Sequence, residues 1–349
     1  MKKLLAKFNK KKPDNSSSRI TNETVAEHRQ RILAGGRRFK YPVQYARHRL
    51  VFNAIIISIV ALVILIVLGW WQLYSVQNTS TFMYRVTKVL PVPVAVVDGQ
   101  TVPYSDYLMK YRSSAHYLEQ KEQISLKSDD GQRQVEYIKQ QAIQDAIADA
   151  YARKLANQQG ITVTDVELET FLKQQRQSSD GEVSQQTYDA VILDYYGWTP
   201  DEYRYATKSK LLRQKVAFAI DKTALSIADS VAAKLKAADV TLLAVADQVN
   251  STDKEAVAYG ASGLVPKTNQ DGGLAATASK LKKGAISSVI KSTTGDGYYF
   301  VRLIDSNDTQ VSYEYIEVPL RAFTSELDTV KRANKVTEYI SISSTASTQ

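Results

Sequence analysis

The 349-residue chain contains no cysteine and only three histidines, three methionines and eight prolines. Without cysteine there is no disulfide, no thiolate metal ligand and no thiol nucleophile. Zinc-ligand spacing and a Ser-His-Asp constellation are also absent. Gly260-Ala261-Ser262-Gly263 is not followed by the Lys-Ser/Thr pair of a phosphate-binding loop. No cofactor is expected. Asp129, Asp130 and Asp194 read as solvated acids rather than catalytic ones.

Acidic residues are scarce at one end. Residues 1–50 hold 14 Lys and Arg against 3 Asp and Glu, a net of +11 where the whole chain carries +9, so the rest is near −2. The one long apolar run follows directly. Residues 51–68 carry no charge, and 14 of them are Val, Ile, Leu or Phe, which favours membrane insertion by about 4–8 kcal/mol. Extended to Leu73, the run spans roughly 34 Å as a helix, against a hydrocarbon core of about 30 Å. Trp70, Trp71 and Tyr74 sit at one end as an aromatic belt would. Arg37, Arg38, Lys40, Arg47 and Arg49 precede the run, and the next cation is Arg85. Cations flank spans on the cytoplasmic side, so the N-terminus is expected inside the cell and the remainder outside. A cleaved signal peptide fits poorly, because the run is long and begins about 50 residues in. The basic tail fits an orientation signal attracted to anionic lipid of the inner leaflet; RNA and ribosome binding are the alternatives, and nucleic acid is not the expected partner.

The expected divisions are a basic tail (1–50), a membrane span (51–73), a Pro-punctuated stalk (74–93), a mostly helical domain (94–220), a small α+β domain (222–340) and a tail (341–349). Residues 8–23 read as disordered, and residues 27–34 as a short helix stopped by Gly35-Gly36. Asp98-Gly99 between apolar runs predicts a hairpin. Ser105 is a candidate N-cap for a helix to about Leu126, broken by Asp129-Asp130-Gly131. A long helix is expected over 132–158, ended by Gly160. Thr164 with Glu167 forms a capping box. Residues 188–196 read as a helix ending at Gly197, and Thr199-Pro200-Asp201-Glu202 opens another to about Ile220. Beyond Asp221, helices are expected at 224–237, 242–249, 275–283 and 320–335. Residues 251–273 read as loop, and 285–290, 298–304 and 311–318 as strands.

Several segments in this order resemble the SurA/PpiD/PrsA group of envelope foldases. Ala95-Val96-Val97-Asp98-Gly99-Gln100-Thr101-Val102 with Ser105-Asp106-Tyr107 is similar to that group's opening strand. Residues 152–169 (ARKLANQQGITVTDVELE) and Tyr196-Gly197-Trp198-Thr199-Pro200-Asp201-Glu202-Tyr203 resemble two of its helix starts. Residues 279–287 (SKLKKGAIS), with Thr294 and Gly297-Tyr298-Tyr299-Phe300-Val301, are similar to parvulin-type peptidyl-prolyl isomerases. The resemblance implies an α+β chain: one transmembrane helix, a SurA-N-like helical chaperone domain and a parvulin-like α+β domain. It implies unfolded or newly exported polypeptides as partners, beside the lipid bilayer.

The sequence departs from the parvulin pattern where the chemistry lies. Parvulin sites use a histidine pair around a polar side chain, but His28, His48 and His116 all precede the second domain. Tyr299 stands at the expected strand-histidine position, and the catalytic residues are otherwise unknown. The first parvulin strand has no counterpart before Ala224; residues 311–318 (VSYEYIEV) alternate well and are expected to fill its slot by pairing with 298–304. Isomerisation crosses a barrier of about 18–20 kcal/mol, and only contacts to the twisted amide lower it. Three readings therefore stand: a membrane-anchored chaperone with a weak or inactive isomerase domain, an active isomerase with a non-histidine site, and a bitopic envelope scaffold. Tyr151, Tyr195, Trp198, Tyr203, Leu264 and Leu274 are the candidate client-binding residues.

Overall fold

The computed structural model describes residues 21–342 apart from 41, 179–180 and 238–239, with side chains of 35–47 also left undescribed. Its contacts divide the chain into a unit ending at Gln72 and a unit from Leu73 onward. The first contains α1 (Asn22–Lys40) and α2 (Pro42–Trp70). α1 runs through Gly35-Gly36 and begins at Asn22, which corrects the short helix expected there. Two glycines cost a helix only about 2 kcal/mol. The expected disorder of residues 8–20 lies outside the described residues. Residues 48–68 are exposed on every side of α2. Among the described residues, the helix at His48–Ser75 is the one long and apolar enough to cross a membrane. Its last turn is a π-helix at Trp71–Ser75.

The second unit opens with α3 (Thr81–Val89), N-capped by Ser80, where a stalk was expected. Met83, Tyr84 and Thr87 are buried on one side of it, and that burial makes a short amphipathic segment a packed helix. β1 (Pro93–Val97) and β2 (Gln100–Pro103) follow. Asp98 and Gly99 both take positive φ, 46° and 82°, as a tight hairpin turn requires. α4 (Tyr104–Gln120) begins after Pro103, one residue ahead of the expected cap. α5 (Asp129–Gln159) is capped by Ser128. Asp129-Asp130-Gly131 is thus the first turn of a helix and not a break, with acids at its positive end. Gly131 is required there because a Cβ would lie 2.0 Å from the Ser125 carbonyl oxygen. α6 (Asp165–Gln175) and α8 (Pro200–Ile220) both start in complete capping boxes. Between them lie the short hairpin β3 (Gln177–Ser178) and β4 (Gly181–Glu182), then α7 (Gln185–Tyr196), ended by left-handed Gly197.

α9 (Lys222–Lys234) and α10 (Leu242–Thr252) lead to β5 (Ala258–Pro266). This strand corrects the loop expected over 251–273. Its exposed edge position hides the alternation a strand usually shows. α11 (Leu274–Ala278), β6 (Ile290–Lys291), β7 (Gly297–Ser306) and β8 (Gln310–Pro319) complete the sheet, in order β5-β8-β7-β6 and antiparallel throughout. β8 therefore lies between the glycine-bearing strand and β7, as expected for 311–318. Tyr298, Phe300, Ile316 and Val318 pack toward α9 and α10. Tyr299, Val301, Leu303, Val311 and Tyr313 form the opposite face, with α11.

The chain then returns to the first domain, which places its end outside the expected 222–340 division. α12 (Ala322–Arg332) gives Leu327, and the segment beyond gives Ile340, to the core built by α4 and α5. β9 (Val336–Glu338) pairs antiparallel with β1. Asp221, 4% exposed, ties the crossover together. One carboxylate oxygen accepts from the Ala224 amide at 2.8 Å and caps α9. The other accepts from the Arg321 and Ala322 amides at 2.7 and 2.9 Å and holds the start of α12. Ser341 is held too, its carbonyl accepting from Gln77 at 2.7 Å; residues 343–349 of the expected tail lie outside the described residues.

Candidate functional site

The α11 face of the second sheet holds the position expected for parvulin chemistry. Tyr299 projects from β7 and is 6% exposed. Its phenol donates to Asp296 Oδ2 at 3.0 Å, and Thr294 Oγ1 donates to Asp296 Oδ1 at 2.8 Å. Ser292 and Thr294 bond through their hydroxyls. Tyr313 donates to Asp271, whose Oδ1 also accepts from the Leu274 and Ala275 amides at 2.9 and 3.1 Å. The Tyr315 ring lies 5.8 Å from that of Tyr299 and 6.4 Å from that of Tyr313. It passes over Gly260, where a Cβ would come within 2.5 Å of the ring. Glu317 faces Tyr299 across the β7–β8 register.

Burial, reinforced by the charges of Asp296 and Glu317, pushes the Tyr299 phenol well above its ordinary range. Tyr313 is raised by burial and by Asp271. The two acids beside Tyr299 move apart. Burial raises Glu317, with Asp296 adding to the rise. Burial acts on Asp296 in the same direction, but bonds from Ser292, Thr294 and Tyr299 outweigh it and leave that carboxyl lowered. These phenols are neutral donors spent on internal acceptors. Such a network rigidifies a core, and it offers no ring nitrogen that changes protonation near neutral pH.

A second constellation lies in the helical domain. Tyr196 stacks on Trp198 with centroids 5.1 Å apart, and Tyr203 lies 6.3 and 6.4 Å from those rings. The Tyr188 and Tyr203 hydroxyls bond at 2.8 Å, and the Trp198 indole donates to the Met109 carbonyl at 3.3 Å. Beside this cluster α3 walls a cavity of about 400 Å³, lined by Tyr84, Arg85, Arg112, His116, Trp198 and Glu202 among others. Tyr84 donates to Glu202 at 2.7 Å. That bond, with those from Thr199, outweighs burial and lowers the Glu202 carboxyl. His116 Nε2 lies 3.0 Å from the Asp194 carbonyl oxygen.

The candidate client-binding residues separate. Trp198 and Tyr203 meet in the aromatic cluster, and exposed Tyr195 on α7 lies under the Lys121 ammonium at 4.8 Å. Leu264 is exposed on β5, in the other domain. Tyr151 and Leu274 are 5% exposed core residues, Tyr151 against Phe323 of α12 and Leu274 beneath β7 and β8. They pack, and the expectation that they line a cleft is corrected. Sequence reasoning passed over Tyr84, Tyr188 and Tyr196 in the groove, and Asp271, Asp296, Tyr313, Tyr315 and Glu317 in the sheet. The alternation of 311–318 was the one signal for the last three.

The fold is thus two-part, a helical domain completed by its own C-terminal strand and an antiparallel sheet flanked by helices. Family comparison agrees: residues 46–217 match the SurA-like N-terminal domain and residues 188–317 the PPIC-type PPIase domain. By this domain pair the chain is similar to SurA/PpiD/PrsA-type foldases. No curated protein matches it. Among solved structures, a chain is similar from work on the virulence factor PEB4 and the periplasmic protein Cj1289 of Campylobacter jejuni, described as two structurally related SurA-like chaperones. It shares 12% identity and a TM-score of 0.28, over 71% of this chain and 99% of that one. At that score the likeness carries no weight for fold or function.

Proposed function

We propose that the protein is a membrane-anchored extracytoplasmic chaperone that holds unfolded exported chains, and that its parvulin-like domain is weak or inactive as an isomerase. The observation that carries this reading is the buried tyrosine network on the α11 face. Tyr299 replaces the expected histidine, and its hydroxyl is committed to Asp296. A prolyl peptide would have to displace Tyr315 and break internal bonds before meeting any donor, so little remains to favour the twisted amide over the planar one. Holding needs no such donor. The aromatic groove around Trp198 and Tyr203 offers amphipathic rings of the kind that suit adaptable peptide contacts.

The anchor rests on the uncharged, exposed run of residues 51–68 in α2. The orientation rests on the basic residues before it, which also draw the tail to anionic lipid. Exported clients would meet the helical domain just outside the bilayer. The test uses the full chain in detergent micelles or vesicles. Aggregation of an unfolded client should be suppressed, and protease-coupled prolyl isomerisation should stay at background. An isomerisation rate well above background favours the non-histidine enzyme. Absence of both effects, with one stoichiometric partner co-purifying, favours a scaffold.

A further inference from the structure

Phe82, Arg85 and Val89 share the outer face of α3, away from its buried side. Met83, Tyr84 and Thr87 are buried, whereas Phe82 is 71% and Val89 81% exposed, with Leu90 exposed just beyond. Arg85 stands among them, Lys88 pairs with Glu202 at 3.4 Å on the flank, and the helix has no acidic residue. A helix with apolar residues and a basic one sharing its outer side suits the boundary between acyl chains and anionic headgroups. The chain supplies the second argument. The apolar helical segment ends at Ser75 and α3 starts at Thr81, so the link spans no more than about 20 Å. A helix so tethered to a membrane span stays within reach of the headgroup layer.

We infer that the Phe82–Arg85–Val89 face of α3 lies on the anionic outer surface of the bilayer, with Arg85 against lipid phosphates, and so fixes the foldase domains to the membrane. The inference rests on the proposed membrane anchor. Since Tyr84 on the opposite side bonds Glu202 of α8, a docked α3 would hold the aromatic groove beside it at the membrane surface.

The absence of cysteine makes the test direct. Four single-cysteine variants of the full chain, Phe82→Cys, Val89→Cys, Ile57→Cys and Leu264→Cys, carry an environment-sensitive fluorophore. They are reconstituted into phosphatidylcholine vesicles with and without phosphatidylglycerol, each containing spin-labelled lipid as quencher. The expected result is quenching at 57 in both vesicles, quenching at 82 and 89 that is stronger with phosphatidylglycerol, and none at 264. Arg85→Gln added to Phe82→Cys should lower the docked-to-undocked ratio roughly fivefold in the anionic vesicles. Quenching at 57 without quenching at 82 and 89 overturns the inference and leaves the anchor standing. No quenching at 57 overturns the anchor and the inference with it. Equal quenching at 264 means general adsorption and also overturns it.

Discussion

Removing the Asp221 carboxylate should loosen both domains together. In Asp221→Ala three backbone amides, those of Ala224, Arg321 and Ala322, lose their acceptor at a site where the side chain is 4% exposed. Losing an N-cap costs about 1 kcal/mol, and hydrogen bonds to a charged group contribute about 1.5–3 kcal/mol each. Water reaching the vacated space recovers part of this, which leaves a loss of about 3 kcal/mol. For a folded region of this size that is a fall in Tm of roughly 6–12 °C. Circular dichroism melting of the full chain in detergent measures it. Asp221→Asn, which keeps an acceptor for some of the amides, should fall between the two. The loss should register both in Trp198 fluorescence from the helical domain and in the tyrosine signal of the sheet. A variant within about 2 °C of the parent, or one that melts only one domain, would refute the reasoning.

Gly131→Ala should destabilise by at least about 2 kcal/mol in the same melt, although Ala is the better helix former by about 1 kcal/mol, because its Cβ meets the Ser125 carbonyl. A neutral or stabilising result would mean that the turn before α5 is free to shift. Glu167 is held at about 2 by a bond from Lys215 and by the Thr164 cap. A lowered carboxyl stabilises the native state above its unfolded value near 4.5 and loses that contribution as pH falls toward 2. Glu167→Gln should therefore flatten the dependence of Tm on pH between 4.5 and 2. An unchanged slope would contradict this. Truncation after residue 320 removes α12, β9, Leu327 and Ile340, and should make α4 and α5 protease-sensitive. Survival of the helical domain would contradict its completion by the returning chain.

Local rules carried much of the fold. The capping boxes at Thr164 and Thr199, the left-handed stops at Gly160 and Gly197, the Asp98-Gly99 hairpin and the apolar helix each depend on neighbouring residues, and so were legible. What escaped depends on distant partners. α3 lies in a segment that reads as stalk and is a packed helix because its Met83 and Tyr84 side is buried in the helical domain, with Tyr84 bonded to Glu202 of α8. β5 is an edge strand whose Ala and Gly residues carry little periodic signal, and Gly260 is explained only by Tyr315, 55 residues away. β9 is three residues long and exists by pairing with β1. The substitution at Tyr299 and the pairing of 311–318 with its strand were readable, but which tyrosine and acid side chains bond across that face depends on register and packing.

The account turns on whether the buried tyrosine face accelerates prolyl isomerisation. Exchange NMR on a proline-containing peptide, with the full chain in micelles, measures it without a coupling protease. Uncatalysed exchange takes tens to hundreds of seconds and gives no cross-peaks between cis and trans resonances on the mixing timescale. The account predicts that none appear when the protein is added, although the peptide signals broaden on binding. Cross-peaks that grow with protein concentration and vanish in Tyr299→Phe would contradict it and place an isomerase at that phenol.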